Sequence, residues 1–147
     1  MQTLDSADLR RKLEEEIKKI SNDLTLLPEI NNSNDFAKPF IEIDRYGYNY
    51  VCRERGEEIF RKLPFDLNDL LYEVFNDVTF ELATKWEVKN RDENKDFRLL
   101  LFAKQVQLMS TINENFGEKL NNRLQRILKF EQLKNLTVDA NGLQHGL

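Results

Sequence analysis

Residues 66–86 have the sequence DLNDLLYEVFNDVTFELATKW, and their pattern organises the rest of the chain. Apolar side chains recur there at steps of three and four, the spacing that places them on one side of an α-helix. These apolar positions are Leu67, Leu70, Leu71, Val74, Phe75, Val78, Leu82 and Trp86. Asp66 is a natural N-cap for such a helix, with Asp69 three positions further on. The sequence therefore predicts a core helix from residue 66 to about residue 90.

The opposite side of this predicted helix is acidic and carries two aromatic residues. Residues 66–84 contain five acids and no base, whereas the whole chain has a net charge of only −4. Like charges four positions apart destabilise an isolated helix by about 0.2–0.5 kcal/mol per pair, a cost that interspersed lysines would remove. We predict a partner-binding surface on this side, formed by Asp69, Tyr72, Glu73, Asp77 and Phe80.

Two interpretations of this acidic side stay open at the level of sequence. In the first it is a solvated face, neutralised by Arg53, Arg98 or Arg123 from neighbouring elements, with both aromatic rings covered by a sheet. In the second, the rings anchor a basic protein partner while the carboxylates steer its approach. The exposure of Phe80 discriminates between them, because a covered ring belongs to the core and an exposed ring is available to a partner.

Three short segments upstream of the helix have the composition of β-strands. Residues 40–44, 48–54 and 57–63 are rich in β-branched and aromatic side chains, and Gly47 and Gly56 lie between them, where a turn needs positive φ. We predict a three-stranded antiparallel sheet over about 40–63, with one face on helices and the other in water.

The remaining apolar periodicity predicts three more helices, at about 6–27, 96–112 and 115–130. Ser6 is the expected N-cap of the first. The third predicted helix of the chain, 96–112, is apolar over much of its circumference, which is typical of a central, well-buried helix. We therefore predict an α+β fold in a single domain, 1–147, with residues 131–147 forming a loosely ordered tail.

Composition excludes several kinds of site and favours a cytoplasmic binding protein. One cysteine, Cys52, and one histidine, His145, exclude an intrachain disulfide and a Cys/His zinc site. No phosphate-binding glycine motif is present, and we predict no cofactor. No apolar run approaches a membrane span, and the acidic net charge disfavours nucleic acid and membrane surfaces. We predict a protein that is not an enzyme, although a hydrolase with two carboxylates is compatible with the composition.

Four blocks of the sequence resemble the immunity protein 63 family of bacterial polymorphic toxin systems. They are YVCRERGEEI at 50–59, DLNDLLY at 66–72, FNDVTF at 75–80 and DFRLLLFAKQ at 96–105. The order and spacing of the blocks carry the resemblance, which extends from about residue 48 to about residue 128. It implies a small cytosolic protein that binds and blocks a cognate toxin domain. The resemblance assigns no toxin-contacting residues.

The acidic helix and the resemblance together suggest what kind of toxin is bound. A nuclease holds phosphates with a basic surface, so an acidic face would suit a nuclease toxin. The alternative is a non-catalytic adaptor or regulatory subunit unrelated to toxins. The sequence does not determine the oligomeric state.

Overall fold

The computed structural model describes residues 3–33, 37–63 and 66–140 of the chain. Within these residues it has an α+β fold with a three-stranded antiparallel sheet and four α-helices, as predicted. In chain order the elements are α1 (Ser6–Ile17), a 3-10 helix (Leu24–Leu26), β1 (Phe40–Asp44), β2 (Gly47–Glu54), β3 (Glu57–Lys62), α2 (Leu67–Lys89), α3 (Phe97–Ile112) and α4 (Glu114–Ala140). No helix among the described residues has the length and apolar character needed to cross a membrane.

The sheet is a meander in the order β1-β2-β3, and turn chemistry sets its register. Between β2 and β3 the two turn residues, Arg55 and Gly56, both have positive φ, at 53° and 80°. This conformation matches the right-handed twist of the flanking strands and favours glycine. Between β1 and β2 the side chain of Asp44 accepts hydrogen bonds from the backbone N–H groups of Tyr46 (2.8 Å) and Gly47 (3.1 Å).

One face of the sheet packs on helices, as predicted, but the other face is drier than expected. Tyr48 and Tyr50 are buried with the helices in the main core. On the opposite face Val51 is also fully buried, although we predicted that this face would be wet. Its cross-strand neighbours are Phe40 and Arg61. Arg61 forms ion pairs with Glu42 and Glu58, and the aliphatic part of such a side chain can cover apolar surface beside it, a contribution that alternation of apolar and polar residues does not report.

Helix α2 begins and ends within one residue of the prediction and forms the centre of the core. The Asp66 carboxylate accepts a hydrogen bond from the Asp69 backbone N–H at 2.8 Å, so the predicted N-cap is confirmed. Leu70, Val74 and Phe75 are completely buried. Fully burying side chains of this size stabilises the fold by about 1.5–3 kcal/mol each, so the buried stripe of α2 is a large contribution to the core.

Helix α1 is shorter than predicted, because it ends at Ile17 rather than at residue 27. The polar residues after it make local hydrogen bonds that compete with the helix. The Ser21 hydroxyl accepts from the Asp23 N–H, and the Asp23 carboxylate accepts from the Thr25 N–H, each at 3.0 Å. The N-cap is Asp5 instead of Ser6, because the Asp5 carboxylate accepts from a backbone N–H of the first turn.

The prediction that α3 is well buried is wrong. It lies between α2 and α4, which together cover one stripe of its surface. The buried residues of α3 are Leu101, Gln105, Met109 and Ile112. Phe97 and Leu99 are about half exposed, at 51% and 52%. An apolar circumference makes a helix suitable for burial on all sides, but burial also requires neighbouring elements on all sides. In the described part of the chain, neighbouring elements cover only one side of α3.

Helices α3 and α4 approach closely at Gly117. A Cβ atom at this position would lie 1.8 Å from the Ser110 Oγ and 2.8 Å from the Ser110 Cα. Helix α4 runs to Ala140 and is therefore ten residues longer at its C-terminal end than the predicted 115–130. Residues 141–147 of the predicted tail lie outside the described residues, and both the loose order of 131–147 and the single domain stay predictions.

Candidate protein-binding site

Helix α2 presents a surface beside β3, which we call the acidic face and define by Asp69, Glu73, Asp77 and Phe80. These positions lie within about 80° of one another around the helix at 100° per residue. The buried Leu70 and Val74 hold the helix in this orientation. The core stripe of α2 therefore also determines which way the acidic face points.

Glu73 is connected to the sheet by an ion pair. The Lys62 Nζ of β3 lies 3.1 Å from the Glu73 Oε2, and both side chains are partly exposed. Partly exposed ion pairs of this kind stabilise a fold by about 0.2–1 kcal/mol. The contact therefore occupies the Glu73 carboxylate without locking it.

Asp77 makes a stronger connection to the sheet. The hydroxyl of Tyr50, a residue that is only 2% exposed, donates a hydrogen bond to the Asp77 Oδ2 at 2.8 Å. Asp77 as a whole residue is exposed, but this bond places one carboxylate oxygen at the buried phenol. The carboxylate is therefore less solvated than the exposure of the residue indicates.

The position of the Tyr50–Asp77 pair shifts the pKa of both of its members. Burial raises the pKa of the Asp77 carboxyl above its ordinary value, while the hydrogen bond from Tyr50 and the charge of Lys62 act in the opposite direction. Burial, and next the charge of Asp77, raise the pKa of the Tyr50 phenol far above its ordinary value. The phenol therefore stays protonated and serves as a permanent donor to Asp77.

Phe80 is the apolar member of the acidic face, and it is not buried. The residue is 50% exposed. Asp69, in the first turn of α2, is half-buried, and its carboxylate forms no ion pair with any described residue. The exposure of Phe80 was to discriminate between a solvated face and a binding surface. It favours the second interpretation, in which an exposed aromatic side chain among carboxylates is available to a partner.

Tyr72 is separated from the other predicted binding residues, because α4 covers its side of α2. It is only 6% exposed. Its ring meets the Phe116 ring edge-on, with centroids 5.6 Å apart, and the Lys119 Nζ lies 4.1 Å from the Tyr72 ring centroid. The Tyr72 hydroxyl has no hydrogen-bond partner in the described part of the chain. Tyr72 thus packs between α2 and α4, and it is not part of the acidic face.

The three arginines considered for neutralising the acidic face occupy different places. Arg53 lies over the Phe40 ring at 5.9 Å, on the other face of the sheet. Arg98 pairs with Asp96 and Glu131. Arg123 contributes to the electrostatic surroundings of Asp77, as a smaller influence than burial or Lys62. Neutralisation is therefore partial and comes mainly from Lys62.

Polar contacts between helices, which sequence periodicity did not predict, fix α2 against α3. The Gln105 Nε2 donates to the Asn76 carbonyl oxygen (3.1 Å) and to the Thr79 Oγ1 (3.3 Å), and the Thr79 hydroxyl donates to the Phe75 carbonyl oxygen (2.6 Å). Gln105 and Thr79 are both buried. These bonds satisfy buried polar groups that would otherwise be costly, so they set the position of α2 precisely along α3.

Among the described residues, neither a metal-binding cluster nor an activated thiol competes with the acidic face as a candidate site. No group of three or more His, Cys, Asp or Glu side chains among them is arranged to hold a metal ion. Cys52 is buried, and burial raises the pKa of its thiol, which disfavours the reactive thiolate. The acidic face is the most distinctive chemical feature of the described surface.

Comparison with known proteins gives one match. The sequence model of a family described as Immunity protein 63 matches residues 44–126, which is more than half of the chain. The matched region begins at Asp44, the last residue of β1, includes all of β2, β3, α2 and α3, and ends within α4. A search of curated proteins and a search of solved structures both find no match.

Proposed function

The chain belongs to the immunity protein 63 family, and from this membership we propose that it binds and neutralises a cognate bacterial toxin domain through the acidic face. The family implies an immunity protein whose partner is a toxin. The proposed contact residues are four of the five predicted from the sequence, Asp69, Glu73, Asp77 and Phe80. The fifth, Tyr72, is buried and supports them from the core side of the helix. The protein acts by binding and catalyses no reaction, and its place of action is the cytoplasm.

The single observation that carries this proposal is the exposed Phe80 ring among carboxylates. Interface energy concentrates in a few aromatic and charged anchors, and the surrounding charges raise the association rate. Phe80 is 50% exposed and lies within about 80° of the three carboxylates around α2. The Asp77 carboxylate is held in place by the buried Tyr50 hydroxyl, whereas Lys62 contacts Glu73 without locking it. Preorganised groups lose little conformational entropy when a partner arrives.

A nuclease toxin suits this surface best. A nuclease must hold phosphate groups, so its own binding cleft is basic. A protein with carboxylates around an apolar anchor can occupy such a cleft as an electrostatic substitute for the nucleic acid. Neutralisation then follows from occlusion, without any chemical step.

The proposal is tested by a binding titration against the toxin domain encoded beside this protein. The triple variant Asp69→Lys, Glu73→Lys, Asp77→Lys reverses the charge of the face, and we expect affinity to fall by at least about a hundredfold, because like-charge contacts across an interface are strongly repulsive. A matched control makes the same change in charge at exposed acids elsewhere, with Glu15→Lys, Glu54→Lys and Glu57→Lys.

The control variant separates a local contact from a general effect of net charge. We expect it to lower affinity by no more than about threefold, since rim and distant charges act mainly on association rate. Helicity from circular dichroism must match the wild type in both variants, and both must be fully folded at the temperature of the titration. A lower melting temperature is expected for the triple variant alone, because Asp77→Lys leaves the Tyr50 hydroxyl without its acceptor. Unchanged affinity in the folded triple variant would refute the acidic face as the contact. An adaptor unrelated to toxins would show no binding to the neighbouring toxin domain.

A further inference from the structure

The two edges of the sheet differ in how their backbone groups are used. At the β1 edge, the Ile41 N–H donates to the Glu29 carbonyl oxygen at 2.8 Å, and the Asn31 N–H donates to the Ile41 carbonyl oxygen at 2.6 Å. Strand β3 forms the other edge, and no hydrogen bond joins its backbone to a described residue outside β2. An edge strand of this kind presents a row of unpaired N–H and C=O groups to which a further strand can bind.

Strand β3 combines this open edge with an ordered series of charges. Its sequence, EEIFRK at 57–62, has two acids at one end and two bases at the other. All of its residues are exposed except the half-buried Phe60. Charges and bulges often protect an edge strand from pairing. Charges protect against a second copy only if like charges meet, so the register decides whether this edge repels or attracts its own copy.

A β-bulge in β3 determines which of its side chains share a face. Glu58 lies opposite Arg53, but Phe60 lies opposite Cys52, so Ile59 is an extra residue without an opposite number in β2. Because side chains alternate along β2, the register assigns the residues of β3 to its two faces. On the face of the sheet that packs on helices are Glu57, Phe60 and Lys62, and on the other face are Glu58 and Arg61.

We propose that β3 is the interface through which a second copy of this chain binds, as an antiparallel strand related by a twofold axis at Phe60. Side chains directly opposite each other in an antiparallel ladder share a face. With the axis at Phe60, Glu57 is opposite the partner's Lys62 on one face. On the other face, Glu58 is opposite the partner's Arg61. Every charged side chain of β3 then meets one of opposite sign.

The bulge is what makes this pairing consistent. In a regular strand, residues five positions apart such as Glu57 and Lys62 point to opposite faces and cannot lie opposite each other. The extra residue Ile59 brings them to one face. A symmetric interface requires a surface that is complementary to itself, and β3 satisfies this requirement at each charged position. A strongly basic strand would instead be repelled by Arg61 and Lys62.

Ion pairs within the chain do not prevent the exchange. Arg61 pairs with Glu58 and Glu42, and Lys62 pairs with Glu73. These pairs are partly exposed, so exchanging them for contacts with the partner costs about 0–1 kcal/mol each. Strand addition gains affinity from main-chain hydrogen bonds, but an edge of this length is a small interface. We therefore expect a weak dimer, and its formation requires no toxin.

The test is sedimentation of the full chain, without toxin, from about 1 µM to about 1 mM, the range in which weak complexes dissociate. We expect the wild type to change from monomer to dimer over this range. Glu58→Arg and Arg61→Glu each place like charges opposite one another, so each is expected to weaken dimerisation at least about tenfold. The matched control is Glu15→Arg, which makes the same change in charge at an exposed position of α1. It is expected to dimerise like the wild type.

Mixing the two variants tests the register itself. When Glu58→Arg meets Arg61→Glu, positions 58 and 61 again carry opposite charges in both halves of the ladder. We expect an equimolar mixture to form a heterodimer within about threefold of the wild-type affinity, although neither variant dimerises well alone. A mixture that stays monomeric while both variants are folded by circular dichroism overturns the proposal.

Cross-linking keeps the proposal testable if a charge variant perturbs folding. Ile59 is next to the proposed axis and is 52% exposed, as is Leu99 on α3, whereas the native Cys52 is buried. A short bis-maleimide is expected to link Ile59→Cys into a covalent dimer and to leave Leu99→Cys monomeric. A wild type that stays monomeric up to about 1 mM overturns the proposal. The same conclusion follows if Glu58→Arg dimerises normally, or if its only effect is weaker binding of the toxin domain.

Discussion

Replacing Phe80 by alanine tests the proposed anchor without changing any charge. The residue is 50% exposed, and a phenylalanine side chain presents roughly 200 Å² when fully exposed, so roughly 100 Å² is available to a partner. At about 25 cal/mol per Å² this area is worth about 2.5 kcal/mol. Alanine retains its Cβ, so we expect a loss of about 2 kcal/mol, or about thirtyfold in the dissociation constant.

Isothermal titration of the Phe80→Ala variant with the toxin domain measures this loss directly. The control is Val88→Ala on the same helix, because Val88 is even more exposed, at 62%, and lies two turns beyond the acidic face. We expect the control to bind within about twofold of the wild type. Equal affinities for Phe80→Ala and the wild type, with an unchanged melting temperature, would refute the anchor.

The remaining predictions concern the contacts around the acidic face and between the helices. Lys62→Met frees the Glu73 carboxylate from its intramolecular partner, and we expect the affinity for the toxin domain to rise about two- to fivefold. A lower affinity in the binding titration would mean that Lys62 itself contacts the toxin. Because burial raises the pKa of Asp77 above 3.8, the folded state binds that proton more tightly than the unfolded state, so this group's contribution to stability is greatest below pH 3.8 and is lost as pH rises through the folded pKa. In urea unfolding from about pH 3 to about pH 7, the stability of the wild type relative to Asp77→Asn should therefore fall as pH rises, while carboxyls with a lowered pKa, such as those of Asp44 and Asp96, act in the opposite direction in both proteins. Parallel pH profiles of the two proteins would contradict this cause. Gly117→Ala places a Cβ against Ser110, and we expect the free energy of unfolding to fall by about 1–3 kcal/mol; the usual gain of about 1 kcal/mol for alanine in a helix would show that the two helices can separate.

The elements that were predicted well are those with a strong local signal. Helix α2 has a sharp N-cap at Asp66 and a regular apolar stripe, and the strands are separated by turn residues with positive φ at Arg55 and Gly56. The errors arose where the outcome depends on neighbours. Helix α1 ends early because Ser21 and Asp23 form local hydrogen bonds. The burial of α3 depends on how many elements surround it, which periodicity does not report.

The same distinction applies to the candidate site. Charge patterning located Asp69, Glu73 and Asp77 on one side of α2, and Phe80 with them. Periodicity also placed Tyr72 near this side, but the exposure of its side chain depends on α4, which covers it. No local signal links Tyr50 or Lys62 to the carboxylates, because residues that are distant in sequence meet there only in the folded chain.

The hydrogen bond between Tyr50 and Asp77 divides the acidic face into positions that are free to change and one that is not. When the surface of the partner changes, binding can be restored by substitutions at Asp69 or Phe80. Such substitutions leave the core stripe of α2, on the other side of the helix, intact. At Asp77 the same exchange leaves a buried phenol without its acceptor, at a cost to folding. New recognition specificities are therefore most accessible at both ends of the face, around a middle position that is tied to the architecture.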